Sequence, residues 1–251
     1  MCGIAGYIGI KKNTPNINKI DDCKLSLKRR GPDTSGHYKK IIGKNSILFI
    51  HTRLSIVDLK RKSSQPFSDE NGTLIFNGMI YNYIELKKDL EKKGEKFQTT
   101  SDTEVLLKML NCYKEKAFSM LDGMWVLVYY SHKNDDIIIS RDRFGEKPLY
   151  YSLENQKFFF SNSIKAIHKL NKKKLYFNDN KIRKFLSYPD KIYGLDNQTF
   201  FRGIYQFPTS SYLKMNLKKK LKLNFKKFWS IDIKSNKTNF TQACRDIKKI
   251  T

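Results

Sequence analysis

The second residue of the chain is a cysteine, set in MCGIAGYIGI. Methionine aminopeptidases remove Met1 when the side chain behind it is small, and cysteine qualifies. The processed chain would carry an α-amine and a thiol on one residue. An α-amine titrates near ~8 and a thiol near ~8.5, so one can serve as base for the other at neutral pH. A nucleophile activated by its own terminal amine is a known catalytic arrangement. Taken alone, CGIAGYIGI reads more readily as a β-strand holding a small buried cysteine, so the rest of the chain must decide.

Four short stretches bear on that choice. In LKRRGPDTSGH, Gly31, Pro32 and Gly36 enforce a turn and Asp33 can bond its own backbone. IHTRLSIVDL delivers Arg53 at the end of a strand, just before an apolar Ile56–Val57 step. IFNGMIYNYIEL carries Asn77–Gly78 from a strand into a helix, and TTSDTEV puts Asp102 at a helix start. Each has a plain structural reading: a turn, a surface ion pair, a helix cap. Together they are the parts that an amidase for a free amino acid needs. Arg53 offers a forked contact to an α-carboxylate, and Asp102 a partner for an α-ammonium. The Asn77 amide and the Gly78 N–H can stabilise a tetrahedral oxyanion, with Cys2 attacking the carbonyl.

The elements that must position these residues follow from apolar patterning. CGIAGYIG, SILFIHT, GTLIFNG, MWVLVYYS, DIIISRD, PLYYSL and KFFFSN read as strands bounded by turn residues. NYIELKKDLEKKG reads as a helix with Gly94 as its stop. SDTEVLLKMLNCYKEKAFSML reads as a single helix capped by Ser101 or Asp102. INKIDDCKLSLKRR is a weaker helix, and KIRKFLSYP a short one stopped by Pro189. FFRGIYQFPTSSYLKMN and KLKLNFKKFWSI resemble an edge hairpin, and TNFTQACRDIKKIT a final helix. Many strands with a few inserted helices predict a layered α+β fold rather than regular βαβ repeats.

With 251 residues and 39% hydrophobic content, the chain can form one large or two modest domains. No apolar run is long enough for a membrane span and no secretory leader is read, so no membrane is expected. Cys2, Cys23, Cys112 and Cys244 lie far apart, without CxxC pairs or metal-ligand spacing. No metal is expected, and a cytoplasmic, reducing setting is. The formal charge of +25 raises the question of nucleic acid. The excess is lysine spread over most segments, with no RNA-binding signature or helix-turn-helix pattern, so no nucleic-acid partner is expected.

The motifs MCGIAG, RRGPDTSG, HTRLSIVDL, NGMIYN, TSDTEVLL, LDGMWVLVYY, RDRFGEKPLYY and FSNSIKAI occur in one order over roughly residues 1–170. In that order they resemble the N-terminal class II (N-terminal nucleophile) glutamine amidotransferase domain of glutamine-hydrolysing asparagine synthetases; the QP of SSQPF fits too. The resemblance implies a four-layer αββα sandwich of two antiparallel sheets. Its glutaminase domain would cover 1–210, with 211–251 a linker and the start of an ATP-dependent synthetase domain. Cys2, Asn77 and Gly78 would be catalytic. Arg53 and the backbone of Leu54, Ser55, Ile56 and Val57 would cradle L-glutamine, with Met79 and Asp102 at its amino end. Met79 departs from the family's glutamate, which predicts altered glutamine affinity. The SGGxDS phosphate loop of the synthetase half is missing. No cofactor is therefore implied for this chain, and ATP and Mg2+ belong only to that half.

The implied activity is hydrolysis of L-glutamine to glutamate and ammonia, feeding ATP-dependent conversion of aspartate to asparagine. The implied partner is an ATP-pyrophosphatase-type synthetase domain in cis or trans; a homodimer is left open. Two alternatives stand beside it: a sugar acceptor in surface polysaccharide, and a non-catalytic remnant.

Overall fold

Long strands that are apolar on both faces need cover on both faces, and the chain supplies it by stacking two sheets between helices. A computed structural model describes residues 1–188, 196–231 and 239–250. The first sheet is built from β1 (Gly3–Ile10), β2 (Thr34–Ile42), β3 (Asn45–Arg53), β8 (Tyr150–Glu154), β9 (Lys157–Ser161) and β10 (Tyr205–Gln206). Its order is β10-β8-β9-β1-β3-β2. The second holds β4 (Phe67–Ser68), β5 (Gly72–Ile80), β6 (Gly123–Ser131), β7 (Asp136–Arg141), β11 (Ser211–Asn216) and β12 (Phe225–Lys227), ordered β12-β11-β7-β6-β5-β4. All their pairings are antiparallel.

The period-two alternation of strands sorts the apolar residues into three cores. Ile4, Ile8, Ile47, Phe49, Ile75, Val126, Val128 and Ile139 fill the space between the sheets. Their sequence neighbours Ala5, Tyr7, Leu48 and Ile50 face the other way, onto α1 (Ile17–Leu27) and α4 (Ile164–Asn171). On the second sheet Leu74, Phe76, Trp125, Leu127 and Tyr129 face α2 (Tyr83–Lys92) and α3 (Asp102–Tyr113). Three cores between four layers give the expected αββα sandwich. Two further helices, α5 (Asp179–Ser187) and α6 (Phe240–Ile250), follow.

The structure departs from sequence expectation at several elements. β2 was read only as part of a turn because TSGHYKKII is mostly polar. It forms the sheet edge, where Tyr38 and Ile42 rest on the inter-sheet core and Lys39 faces outward. The single helix expected over 101–121 breaks at Lys114, whose φ is 52°. The following 3-10 turn, Lys114–Ser119, lowers Ala117 and Phe118 onto the second sheet, where Phe118 meets Tyr212 and Phe228. Helix α4, within the FSNSIKAI motif and beyond it, has no counterpart among the helices expected from sequence.

The expected hairpin divides between the sheets. Tyr205–Gln206 edges the first, while β11 and β12 extend the second through residue 227. The proposed stop at Pro189, and the ends of the last predicted helix at 238 and 251, lie outside the described residues.

Candidate active site

β1 runs antiparallel to β3 with Gly3 opposite Thr52, so Cys2, one step before the pair, reaches the end of β3. By strand parity Cys2 shares a face with Ile4 and Ile8, and Arg53 shares one with Ile47 and Phe49. Both faces look into the gap between the sheets. The Leu54 amide donates to Cys2 Sγ at 3.4 Å, and the thiol lies 3.6 Å from the Leu54 carbonyl. Burial pushes this thiol up. The Leu54 amide, the chain's terminal ammonium and Arg53 pull against that, and Asp102 adds to the rise. The main chain of Cys2 is fixed from the far side: its carbonyl accepts from Asn162 Nδ2 at 2.9 Å and Arg30 Nε at 3.3 Å. Asn162 Oδ1 takes the Ile4 N–H, so one side chain locks two successive inward-facing residues.

The candidate oxyanion donors lie where β5 outruns its neighbour. In an antiparallel strand alternate residues present their N–H groups to opposite sides. Those of residues 74, 76, 78 and 80 face the β4 side, and the Phe67 end of β4, opposite Leu74, is where that pairing stops. Beyond that end the Phe76 N–H is taken by Gln65 Oε1 at 2.6 Å and the Ile80 N–H by Asp102 Oδ2 at 3.3 Å. Gly78, between them, faces the same open side. Its side chain cannot be larger, because a Cβ would lie 2.0 Å from the Met124 carbonyl. Asn77 is 2% exposed, and its Nδ2 has no hydrogen-bond partner among the described residues. A buried amide donor left unmet costs about 1–3 kcal/mol. Such a donor beside a thiol is a ready partner for an incoming oxygen.

A cavity of about 160 Å³ joins these groups. Cys2, Arg53, Leu54, Ile56, Val57, Asn77, Gly78, Met79 and Asp102 line it, with Asp58, Gln65, Met124 and Lys147 among their neighbours. Ser55, the remaining candidate, is not in the lining; its N–H donates to Asp33 Oδ2 at 2.7 Å. Arg53 is anchored by donation to the backbone carbonyls of Asp58 and of Lys60, the latter at 3.0 Å. Those bonds use one hydrogen on each terminal nitrogen and leave one on each.

Asp102 is not the helix cap. Ser101 caps α3 by accepting from the Thr103 N–H at 3.1 Å, which frees Asp102, 5% exposed, to face the cavity. Burial raises its carboxyl, and bonds from Ile80, Thr103 and Ser101 oppose that rise.

Four supporting residues carried no assigned role in the sequence reading. Arg30 and Asn162 hold Cys2, Gln65 braces β5, and Asp58 organises the loop after Arg53. Asp58 accepts from Ser63, Lys60 and Thr100, which hold its carboxyl down to about 2. All four sit inside motifs already noted (RRGPD, FSN, SSQP, SIVDL), but their work is long-range and leaves no local pattern.

Two stacked antiparallel sheets between helical layers, with Cys2 at the mouth of the gap, make an αββα sandwich that opens on the site. Solved structures agree. The glutamine phosphoribosylpyrophosphate amidotransferase of B. subtilis, complexed with ADP and GMP, superposes with a TM-score of 0.62 at 20% identity, covering 92% of this chain and 50% of that one. An allosteric regulatory enzyme of purine biosynthesis gives 0.63 at the same identity and coverage.

The sequence family described as the glutamine amidotransferase domain matches residues 1–229, and the chain belongs to it. Curated relatives include asparagine synthetase [glutamine-hydrolyzing] 1 of Bacillus subtilis, 39% identical over 65% of this chain and 26% of its own. Asparagine synthetase [glutamine-hydrolyzing] 3 of the same organism is 29% identical over 100% of this chain and 40% of its own. A putative asparagine synthetase of Methanocaldococcus jannaschii is 36% identical over 69% of this chain and 36% of its own. The chain thus spans well under half the length of these relatives. No described helix is long and apolar enough to cross a membrane.

Proposed function

We propose that this domain hydrolyses L-glutamine to glutamate and ammonia through Cys2, and that the ammonia serves an ATP-dependent synthetase domain, in cis or trans, that amidates aspartate. The observation that carries the glutaminase reading is the pair of oxyanion donors beside the thiol: the buried, unpartnered Asn77 Nδ2 and the open-sided Gly78 N–H. Removal of Met1 frees the Cys2 amine. That amine takes the thiol proton as sulfur attacks the side-chain carbonyl of glutamine, and the oxygen gathers negative charge against Asn77 and Gly78. Collapse returns the proton to the departing nitrogen and leaves a thioester. Water, deprotonated by the same amine, then attacks the thioester carbonyl; the C–S bond breaks, glutamate leaves, and the amine returns its proton to the Cys2 sulfur.

Arg53 and Asp102 match the carboxylate and ammonium of a free amino acid. A glutamine whose ammonium is blocked leaves Asp102 buried without its partner. The aspartate acceptor is supported by the names of the relatives, which are longer than this chain. A cytoplasmic setting suits the chemistry, because all four cysteines are free thiols and Cys2 must stay reduced.

Ammonia release tests the reading. The protein should turn over glutamine, Cys2→Ala should not, and N-acetyl-glutamine should be poorer by roughly 10-fold or more, the factor one unmet buried partner imposes. Equal turnover of the two substrates would remove Asp102 from the site.

A further inference from the structure

Lys147 lines the active-site cavity and is 8% exposed, yet the reaction outlined above gives it nothing to do. Its Nζ meets one polar partner among the described residues, the Met1 sulfur at 3.8 Å. A buried ammonium with no carboxylate against it is costly, so its place needs a reason. The position is deliberately braced. Asp142, 1% exposed, accepts the N–H groups of Phe144, Glu146 and Lys147, at 3.1, 2.9 and 3.1 Å. Arg141 ties the carbonyls of Gly145 and Lys147 from below, at 2.6 and 2.7 Å. The turn that carries Lys147 is therefore held by two fully engaged charged residues.

Across the Met1 side chain lies a second cation. Arg30 Nη2 is 3.9 Å from the same sulfur, while its Nε holds the Cys2 carbonyl. Lys147 and Arg30 thus both border the space that the Met1 side chain leaves on removal, and that removal exposes the Cys2 amine.

We propose that Lys147, with Arg30 opposite, keeps the α-amine of processed Cys2 neutral, so that it is free to accept the thiol proton. The inference rests on the glutaminase reading and assigns Lys147 as a positioning residue that acts through the amine. The charged groups around Cys2 are Arg53 at the end of β3, Lys147 after β7, Asp58 in the 54–60 loop and Asp102 on α3, which line its cavity, and Arg30 after α1, which holds its carbonyl. The Cys2 thiol sits on the same residue, and the Tyr150 phenol acts on Arg30. Asp58 is occupied by Ser63, Thr100 and Lys60, and Asp102 accepts from the Ile80 N–H and the Ser101 hydroxyl. A protonated amine would therefore add a cation where cations already prevail, and the neutral form is favoured.

The test compares the Met1-processed protein with Lys147→Met, Lys147→Gln and Lys147→Arg, each checked for fold by circular dichroism. The pH profile of kcat/KM for glutamine is one readout. NMR titration of cysteine-labelled protein, which follows the Cys2 amine without turnover, is the other. Removing a like charge raises the amine's pKa. The acidic limb in Lys147→Met and Lys147→Gln should therefore move to higher pH by roughly one unit, the scale expected of a neighbouring charge. The lost rate should return as pH is raised, and Lys147→Arg should retain the original limb.

An unmoved limb with an unmoved amine titration overturns the proposal. So does a loss of rate that persists at every pH, which would make Lys147 a proton carrier or substrate contact instead. If the unsubstituted protein shows no Cys2-dependent turnover, the glutaminase reading fails. The NMR titration then still judges Lys147, and an amine that titrates at or above the ordinary ~8 counts against it.

Discussion

Asn77 is the residue whose environment makes the strongest demand. Its amide nitrogen is buried and unpartnered among the described residues, a state that a bound substrate oxygen relieves. Asn77→Ala should lower kcat by about 10²–10³-fold, as loss of one oxyanion donor does elsewhere, with a much smaller effect on KM. Steady-state kinetics check this, and near-normal kcat would remove Asn77 from the oxyanion site. Met79 makes a different prediction. Two residues along β5 from Asn77, it shares that strand's inward face and lines the cavity on which Asp102 also opens. Met79→Glu should strengthen the hold on the substrate ammonium and lower KM roughly 3–10-fold, leaving kcat nearly unchanged. A higher KM would show that the thioether suits this pocket better than a second carboxylate.

Strand β5 unites the site because its edge is unpaired where chemistry is needed. Gln65 is the brace that stops the edge from fraying: it receives the Phe76 N–H, and its own amide lies 3.4 Å from Thr103 Oγ1. Gln65→Leu leaves a buried N–H unmet, at about 1–3 kcal/mol. In a chain of this size that is a fall of roughly 2–10 °C in Tm. Because the Gly78 N–H lies two residues on, kcat should fall with it. A Tm scan and kinetics on the same preparation decide this, and a lowered Tm with intact kcat would confine Gln65 to stability.

Most elements were legible from their apolar runs. β2 was not, since an edge strand buries little and reads as polar. Nor was the break at Lys114, because the pull of Phe118 onto the second sheet is a tertiary effect that overrides a continuous helical pattern. Cys2, Arg53 and Asp102 stood out as candidates because they sit at strand ends or a helix start, and Asn77 and Gly78 because Asn-Gly is unusual within a strand such as β5. The braces were not: Asn162 meets Cys2 across 160 positions of sequence.

At the scale of the molecule, the two-sided burial of the strands explains both the fold and the site. Runs such as SILFI and VLVYY carry apolar residues on both faces, which the sequence shows; which face meets a helix and which meets the other sheet follows only from stacking. The gap between the sheets then gathers Cys2, Arg53 and Asn77 at its mouth. Most of the formal charge of +25 lies away from this arrangement, and some of its lysines pair on exposed surface, as in Lys172–Asp22 and Lys173–Glu154. The central claim is that the thiol works from the chain's own terminus. Intact-protein and peptide mass spectrometry after incubation with a glutamine analogue bearing an electrophilic diazoketone tests it most directly. The account predicts a chain that lacks Met1 and carries one adduct on Cys2, with Cys23, Cys112 and Cys244 unmodified. A chain that retains Met1 throughout, or an adduct distributed over the other cysteines, would contradict it.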